Sequence, residues 1–201
     1  MTRLRPAVET LLALSITAVA LFVFLNGSFF SSYNAVHIDL SINWTAAHAL
    51  RDGLNPYGAS TLRDLAASLG GPTNFVYNQL FTSYIQPPTS ALHLLPLTAL
   101  PWRDATHLYL VLNHLLLAAA VVVTLLTLRP ALPLRWTIAG TSVLLALWAS
   151  IPFSMALGQV DPTILLLLAL GFWGYTHDRP ALTGATIALA TAIKFIPGVL
   201  L

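Results

Sequence analysis

Three polar islands in an otherwise apolar chain carry the groups able to do chemistry. Asp39 is the only charged residue between Glu9 and Arg51. A carboxylate just beyond a long apolar run is partly desolvated, which raises its proton affinity toward the range a general base requires. The same acid directly precedes an amphipathic stretch, where an N-cap accepting an orphan backbone N–H is the plainer role. Lys194 lies inside the last apolar stretch, roughly 20 Å along a helix counted at about 1.5 Å per residue from Ala181. An ionisable group at that depth is costly unless it faces a cavity or a partner, and a phosphate anion is the natural partner for an ammonium there. Snorkelling toward the interface along its own stem is the alternative. The third island is "MALGQVDP", residues 155–162. Gln159 and Asp161, flanked by Gly158 and Pro162, form either a plain turn or a shelf for a sugar hydroxyl. A cation at Asp161 would call for further oxygen ligands.

Other chemistries have little support. The chain has no cysteine, which removes disulfides, thiolate zinc sites and cysteine nucleophiles. It contains no H-E-x-x-H, G-x-x-x-x-G-K-[ST] or G-x-S-x-G. His107 and His114, seven residues apart with Asn113 adjacent, share one helix face and read as hydrogen-bonding groups within a span rather than a metal pair. The nine basic residues are scattered singly, whereas a nucleic-acid surface clusters them. No nucleic-acid partner is expected.

The elements that must position these groups are membrane helices. Of the 201 residues, 57% are hydrophobic and 8% charged, and mean hydropathy is +0.77; a soluble domain carries roughly 25% charged residues. Spanning the hydrocarbon takes about 20 apolar residues in a helix. Residues 11–30, 105–128, 136–156 and 181–201 meet that length, and 162–176 is short but strongly apolar. The first run is longer than a signal-peptide core and no A-x-A site follows it, so it is expected to remain as an anchor. Arg3 and Arg5 place the N-terminus inside, and Arg129, Arg135 and Arg179 return to the same side. That reading requires 87–101, interrupted by Pro96, to be a re-entrant or interfacial segment rather than a full crossing.

Residues 31–86 then form a large external loop. Leu40, Trp44, Ala47, Leu50 and Leu54 recur at helical spacing, with Ser41, Thr45, His48 and Asp52 on another face. Gly53 is placed at the C′ position of that helix, and "NPYG" is turn chemistry. A second amphipathic helix buries Leu62, Leu65 and Leu69 and ends at Gly70-Gly71-Pro72. The expected architecture is all-α: a polytopic transmembrane bundle whose first external loop carries two interfacial helices. Trp102, Tyr109, Trp136, Trp173 and Tyr175 suit an aromatic belt. The sequence stops within an apolar segment and is expected to continue in a longer protein.

Taken in order, Asp39, "ALRDGLNPYG", "FVY" at 75–77, "YIQPPTSALHLLPLTALP", "GQVD" at 158–161 and "GATIALATAIKFIP" resemble the GT-C membrane glycosyltransferases. The set is most similar to glycosyltransferase family 87, the polyprenyl-phosphate-mannose-dependent alpha-mannosyltransferase-like proteins. The resemblance implies a GT-C-like bundle in the plasma membrane, with the catalytic acid, Asp39, on the non-cytoplasmic face. It also implies a polyprenyl-phosphate sugar donor and a glycan or glycolipid acceptor. Inverting transfer of a hexose, mannose foremost, would follow, with Lys194 or Arg51 stabilising the departing phosphate. His48, Tyr57, Gln159 and Asp161 complete the expected substrate-binding set. No metal or other cofactor is called for. Members often have Asn where Asp161 stands and are about twice as long, so an inactive fragment is one alternative. A transporter or lipid-binding protein with Lys194, His107 and His114 along a pathway is the other.

Overall fold

A computed structural model describes residues 4–35, 37–70, 84 and 86–195. "FVY" at 75–77, Gly71, Pro72, Pro197 and the stretch 196–201 lie outside the described residues. Among the described residues all regular secondary structure is helical. Helix α1, Leu4–Leu25, continues into a π-helical segment, Asn26–Phe30. There Asn26 Nδ2 donates to Phe22 O at 2.8 Å and Ser28 Oγ to Phe24 O at 2.7 Å, so side chains satisfy carbonyls that the wider turn loosens. Helix α2 is Ile38–Arg51 and α3 is Ala59–Ser68. Helix α4, Pro88–Leu92, and a 3-10 turn, Leu95–Ala99, precede α5, Trp102–Leu128. Then come α6, Leu134–Leu147, α7, Ser150–Leu157, α8, Asp161–Thr176, and α9, Pro180–Ile193.

Among the described residues, two helices are long and apolar enough to cross a membrane, Pro6–Phe30 and Trp102–Leu128. The stretch read from sequence as one helix, 136–156, is instead α6 and α7, bent by 62° between them. Pro152 accounts for the break. Its ring lacks an N–H and would collide with the carbonyl four residues back, and at that residue, Trp148, the backbone leaves the helix with ψ 88. Helix α9 stops at Ile193, which makes it about 21 Å long at 1.5 Å per residue. Segment 87–101 forms two five-residue helices, each too short to cross the hydrocarbon.

Helix α1 packs against α6, and α8 lies between α5 and α9. Arg135 Nη2 donates to Glu9 Oε2 at 2.7 Å, tying the start of α6 to the start of α1. The α8–α9 hairpin closes tightly because α8 presents glycines to it. A Cβ at Gly171 would lie 2.9 Å from Thr186 Oγ1, and one at Gly174 2.9 Å from Thr183 Oγ1. Small residues let membrane-type helices approach in this way, and Thr183 Oγ1 uses the proximity to donate to Gly171 O at 3.2 Å.

Helix α2 differs most from its sequence reading. The pattern predicts a helix lying on a surface, yet every residue from Leu40 to Ala49 is buried. Its contacts are with α3, α4, the 3-10 turn and α7. Trp44 Nε1 donates to Leu97 O at 3.2 Å, and the indole meets the Trp102 ring edge-on at 5.3 Å. The polar face can be buried because its hydroxyls bond back to their own helix, Thr45 Oγ1 to Ser41 O at 2.8 Å and Ser41 Oγ to Ile38 O at 2.9 Å. At its C-terminus Gly53, φ +70, stands at C′, with Leu54 N–H on Ala49 O at 2.7 Å, the Schellman arrangement. Helix α3 covers α2 through Leu62 and Ala66, with Leu65 and Leu69 packed beside them.

Candidate active site

Helix α2 enters through its N-cap His37, whose backbone is left-handed (φ 48); Asp39 is two residues further, in the first helical turn, and no side chain caps the helix. The capping role read from sequence for Asp39 is therefore corrected. Its carboxylate lies near the junction of α7 and α8, where the Gln159 side chain, Lys194 and Asp161 are close enough to act on it electrostatically. Desolvation raises the affinity of Asp39 for its proton; the polar Gln159 side chain and the Lys194 ammonium act in the opposite sense, and the Asp161 carboxylate reinforces the rise.

The junction is shaped to receive α2. Gly158 ends α7 with φ +70, and a Cβ there would sit 2.6 Å from Leu40 Cβ and 3.2 Å from His37 Cβ. Only glycine allows both the left-handed turn and this contact. Next to it, the Gln159 carbonyl accepts hydrogen bonds from Asn113 Nδ2 at 3.0 Å and Tyr109 OH at 3.3 Å, both on α5. The peptide that carries the Gln159 side chain is thus fixed from behind.

Asp161 begins α8. Its Oδ1 accepts from Lys194 Nζ at 2.8 Å and its Oδ2 from Ser154 Oγ at 2.9 Å. Lys194 is the C-cap of α9, with extended backbone (φ −146, ψ 123). The sequence reading put it within a continuing helix; it stands at the end of one, paired rather than snorkelling. The last two carbonyls of α9, Ala192 O and Ile193 O, accept the hydroxyls of Thr89 and Ser90 on α4, which satisfies orphan acceptors of the helix end. Beside the ion pair is a cavity of about 540 Å³ between α5, α6, α7 and α8, walled by residues such as Leu117, Leu145, Met155 and Ile164, with Ser154 and Asp161 in its lining.

Four of the seven residues singled out in the sequence therefore meet: Asp39, Gln159, Asp161 and Lys194. The other three lie elsewhere. Arg51 is twelve positions beyond Asp39 on α2, about 18 Å at 1.5 Å per residue, and bonds Asp52 at 2.9 Å and Thr98 O at 3.1 Å. His48 is buried with its ring edge-on to Trp44, centroids 4.3 Å apart. Tyr57 OH donates to Gln86 O at 3.3 Å. His107 stacks on Tyr33 at 4.0 Å, while His114 bonds Leu110 O and Ser28 Oγ at 2.8 and 3.0 Å.

Sequence reasoning does not find the junction roles of Tyr109, Asn113 and Ser154. Tyr109, a belt aromatic by its position, is only 5% exposed and serves the Gln159 carbonyl. Its spacing of four from Asn113 places the two on one helix face, a signal the sequence does carry. Ser154 lies seven residues before Asp161 across a chain reversal, and that separation carries no local signature.

The cluster joins a half-buried carboxylate of raised proton affinity to an ammonium and an apolar cavity. It can take a proton, hold an anion and shelter a hydrocarbon chain. The family model of glycosyltransferase family 87 matches residues 84–201. That range contains Gln159, Asp161 and Lys194, and Asp39 precedes it. No curated protein and no solved structure matches the chain. Since the matched range covers more than half of the sequence, the chain belongs to glycosyltransferase family 87.

Proposed function

We propose that the chain transfers a hexose, mannose foremost, from a polyprenyl-phosphate donor to a hydroxyl of a glycan or glycolipid acceptor, with inversion. Asp39 accepts the proton of the acceptor hydroxyl and the acceptor oxygen attacks the anomeric carbon. The bond from that carbon to the phosphate oxygen breaks, and polyprenyl phosphate leaves with the electron pair. Lys194 meets the negative charge that gathers on the phosphate, and the apolar cavity beside Asp161 takes the start of the lipid chain. The observation that carries this reading is the convergence of Asp39, Gln159, Asp161 and Lys194 from α2, the α7–α8 junction and the end of α9.

The reading extends to a polytopic, GT-C-like bundle in the plasma membrane with this site on the non-cytoplasmic face. Glu9 and Arg135 join the starts of α1 and α6, whereas Asp39 follows the end of α1; Arg129 and Arg179 fall in the loops after α5 and α8. Basic residues gathered on one side mark the cytoplasmic face.

The test is sugar transfer by membranes containing the protein, set against flux of the same sugar into sealed vesicles. Labelled product without flux is the expected result; flux without product would favour a transporter. Lys194→Ala is expected to raise KM for the donor tenfold or more, the range of a lost charge-assisted contact of about 1.5–3 kcal/mol, with acceptor KM changed less than about twofold. Equal changes in both would rule out a phosphate role for Lys194.

A further inference from the structure

Any phosphate that reaches Lys194 finds its ammonium already occupied by Asp161. Three features distinguish this pair from a sealed structural bridge. The Lys194 and Asp161 side chains are 40% and 35% exposed, so the pair is not sealed from its surroundings. The backbone of Lys194 is held independently of the pair, through its N–H on Ala190 O at 2.9 Å and through the Thr89 and Ser90 hydroxyls on the two preceding carbonyls. Only side-chain torsions need turn for the ammonium to change partners. Asp161, for its part, keeps Ser154 Oγ on its second oxygen if Lys194 moves away. Among the described residues, the other titratable groups acting electrostatically at this point are Asp39 from α2 and Tyr109 from α5, neither of them a cation.

We propose that Asp161 is the resident anion of the phosphate subsite: it holds Lys194 in the ligand-free protein, yields it to the donor's phosphodiester, and reclaims it from the product phosphate, hastening departure. This rests on the assignment of Lys194 to the lipid phosphate. It gives Asp161 a role other than the sugar-hydroxyl contact expected from sequence, that of a specificity and release residue which need not touch the sugar. A carboxylate competing for one ammonium weakens anion binding by the free energy of its own pairing, and the sign of its removal separates this role from simple support. If Asp161 only positioned Lys194, its loss would weaken binding. If it competes, its loss tightens binding.

The experiment measures the dissociation constant of a dialkyl phosphodiester with one long and one methyl chain, a monoanion throughout the accessible pH range, on the full chain in neutral detergent micelles. Asp161→Asn preserves size and an acceptor for Ser154 while removing the charge. Binding is expected to tighten about tenfold, equivalent to about 1.4 kcal/mol, mostly through slower dissociation. An uncharged alkyl glycoside of the same chain length should bind both proteins alike, and adding Lys194→Ala should erase the gain. Asp161→Ser, which also drops the charge, must move the constant in the same direction and serves if the Asn variant does not fold. Unchanged or weaker phosphodiester binding in a folded Asp161 variant overturns the proposal. Because binding is read without turnover, this failure is separate from an absence of sugar transfer, which would overturn the function proposed above.

Discussion

Asp39→Asn is expected to reduce sugar transfer by about 10³-fold, within the range a positioned general base contributes, with expression and membrane insertion unchanged. Asn has nearly the shape of Asp but cannot take a proton from the acceptor hydroxyl. The fold should tolerate it, because the side chain of Asp39 does not cap α2 and its backbone carbonyl keeps Asn43 Nδ2 at 2.7 Å. The pH profile supplies a second readout. Burial raises the proton affinity of Asp39, and the base works only when ionised. Transfer should therefore be full above that raised pKa and fall as pH drops through it, with a midpoint above the ordinary Asp value of about 3.9. Gln159→Ala removes a polar neighbour that favours the ionised form, so the acidic limb should move to higher pH. Undiminished turnover in Asp39→Asn would exclude this acid as the base, and an unmoved limb in Gln159→Ala would deny Gln159 its part.

The second large effect is expected at a residue with no functional group. Gly158→Ala places a Cβ 2.6 Å from Leu40 Cβ and 3.2 Å from His37 Cβ in a backbone with φ +70. The left-handed conformation alone costs a residue with a Cβ about 1–2 kcal/mol. Leu40 is 0% exposed and has no free space to give, so the overlap is relieved by moving the first turn of α2 away from the junction. A shift of about 1 Å at a catalytic group costs about 10²-fold, and kcat/KM should fall by that order together with the thermal unfolding temperature in detergent. Gly53→Ala provides the matched control. Gly53 has the same φ of +70, but a Cβ added there would meet nothing within 4 Å, so this variant should lose a little stability and keep its activity. If Gly158→Ala retains activity within about twofold of the parent, the α2–α7 contact is not what holds Asp39 in place.

How far these features can be read from sequence depends on whether their cause is local. Long apolar runs identify α1 and α5, since a helix of that length and composition has few other stable settings. The polar islands identify Asp39, Gln159, Asp161 and Lys194, because a charge or amide set in apolar surroundings needs a partner. The burial of α2 is not local. Ser41, Thr45 and His48 read as a solvent-facing stripe, and the bonds of the two hydroxyls to their own helix, with the cover from α3 and α4, are what let Ser41 and Thr45 lie inside. Arg51 and His48 have suitable chemistry but occupy the wrong end of a straight helix, which the proximity of polar residues in sequence does not reveal. Pro152 is visible in the sequence; its consequence, a 62° bend that turns α7 toward α2, depends on what the freed segment packs against.

The pairing of α1 with α6 also implies an order of biogenesis. Glu9 and Arg135 meet across 126 residues. At a translation rate of about 5–20 residues per second, the first helix emerges roughly 6–25 s before its mate has been made. Throughout that interval the face of α1 that α6 later covers lacks that partner, and the tertiary clasp between the two helices can close only after α2 through α5 have left the ribosome.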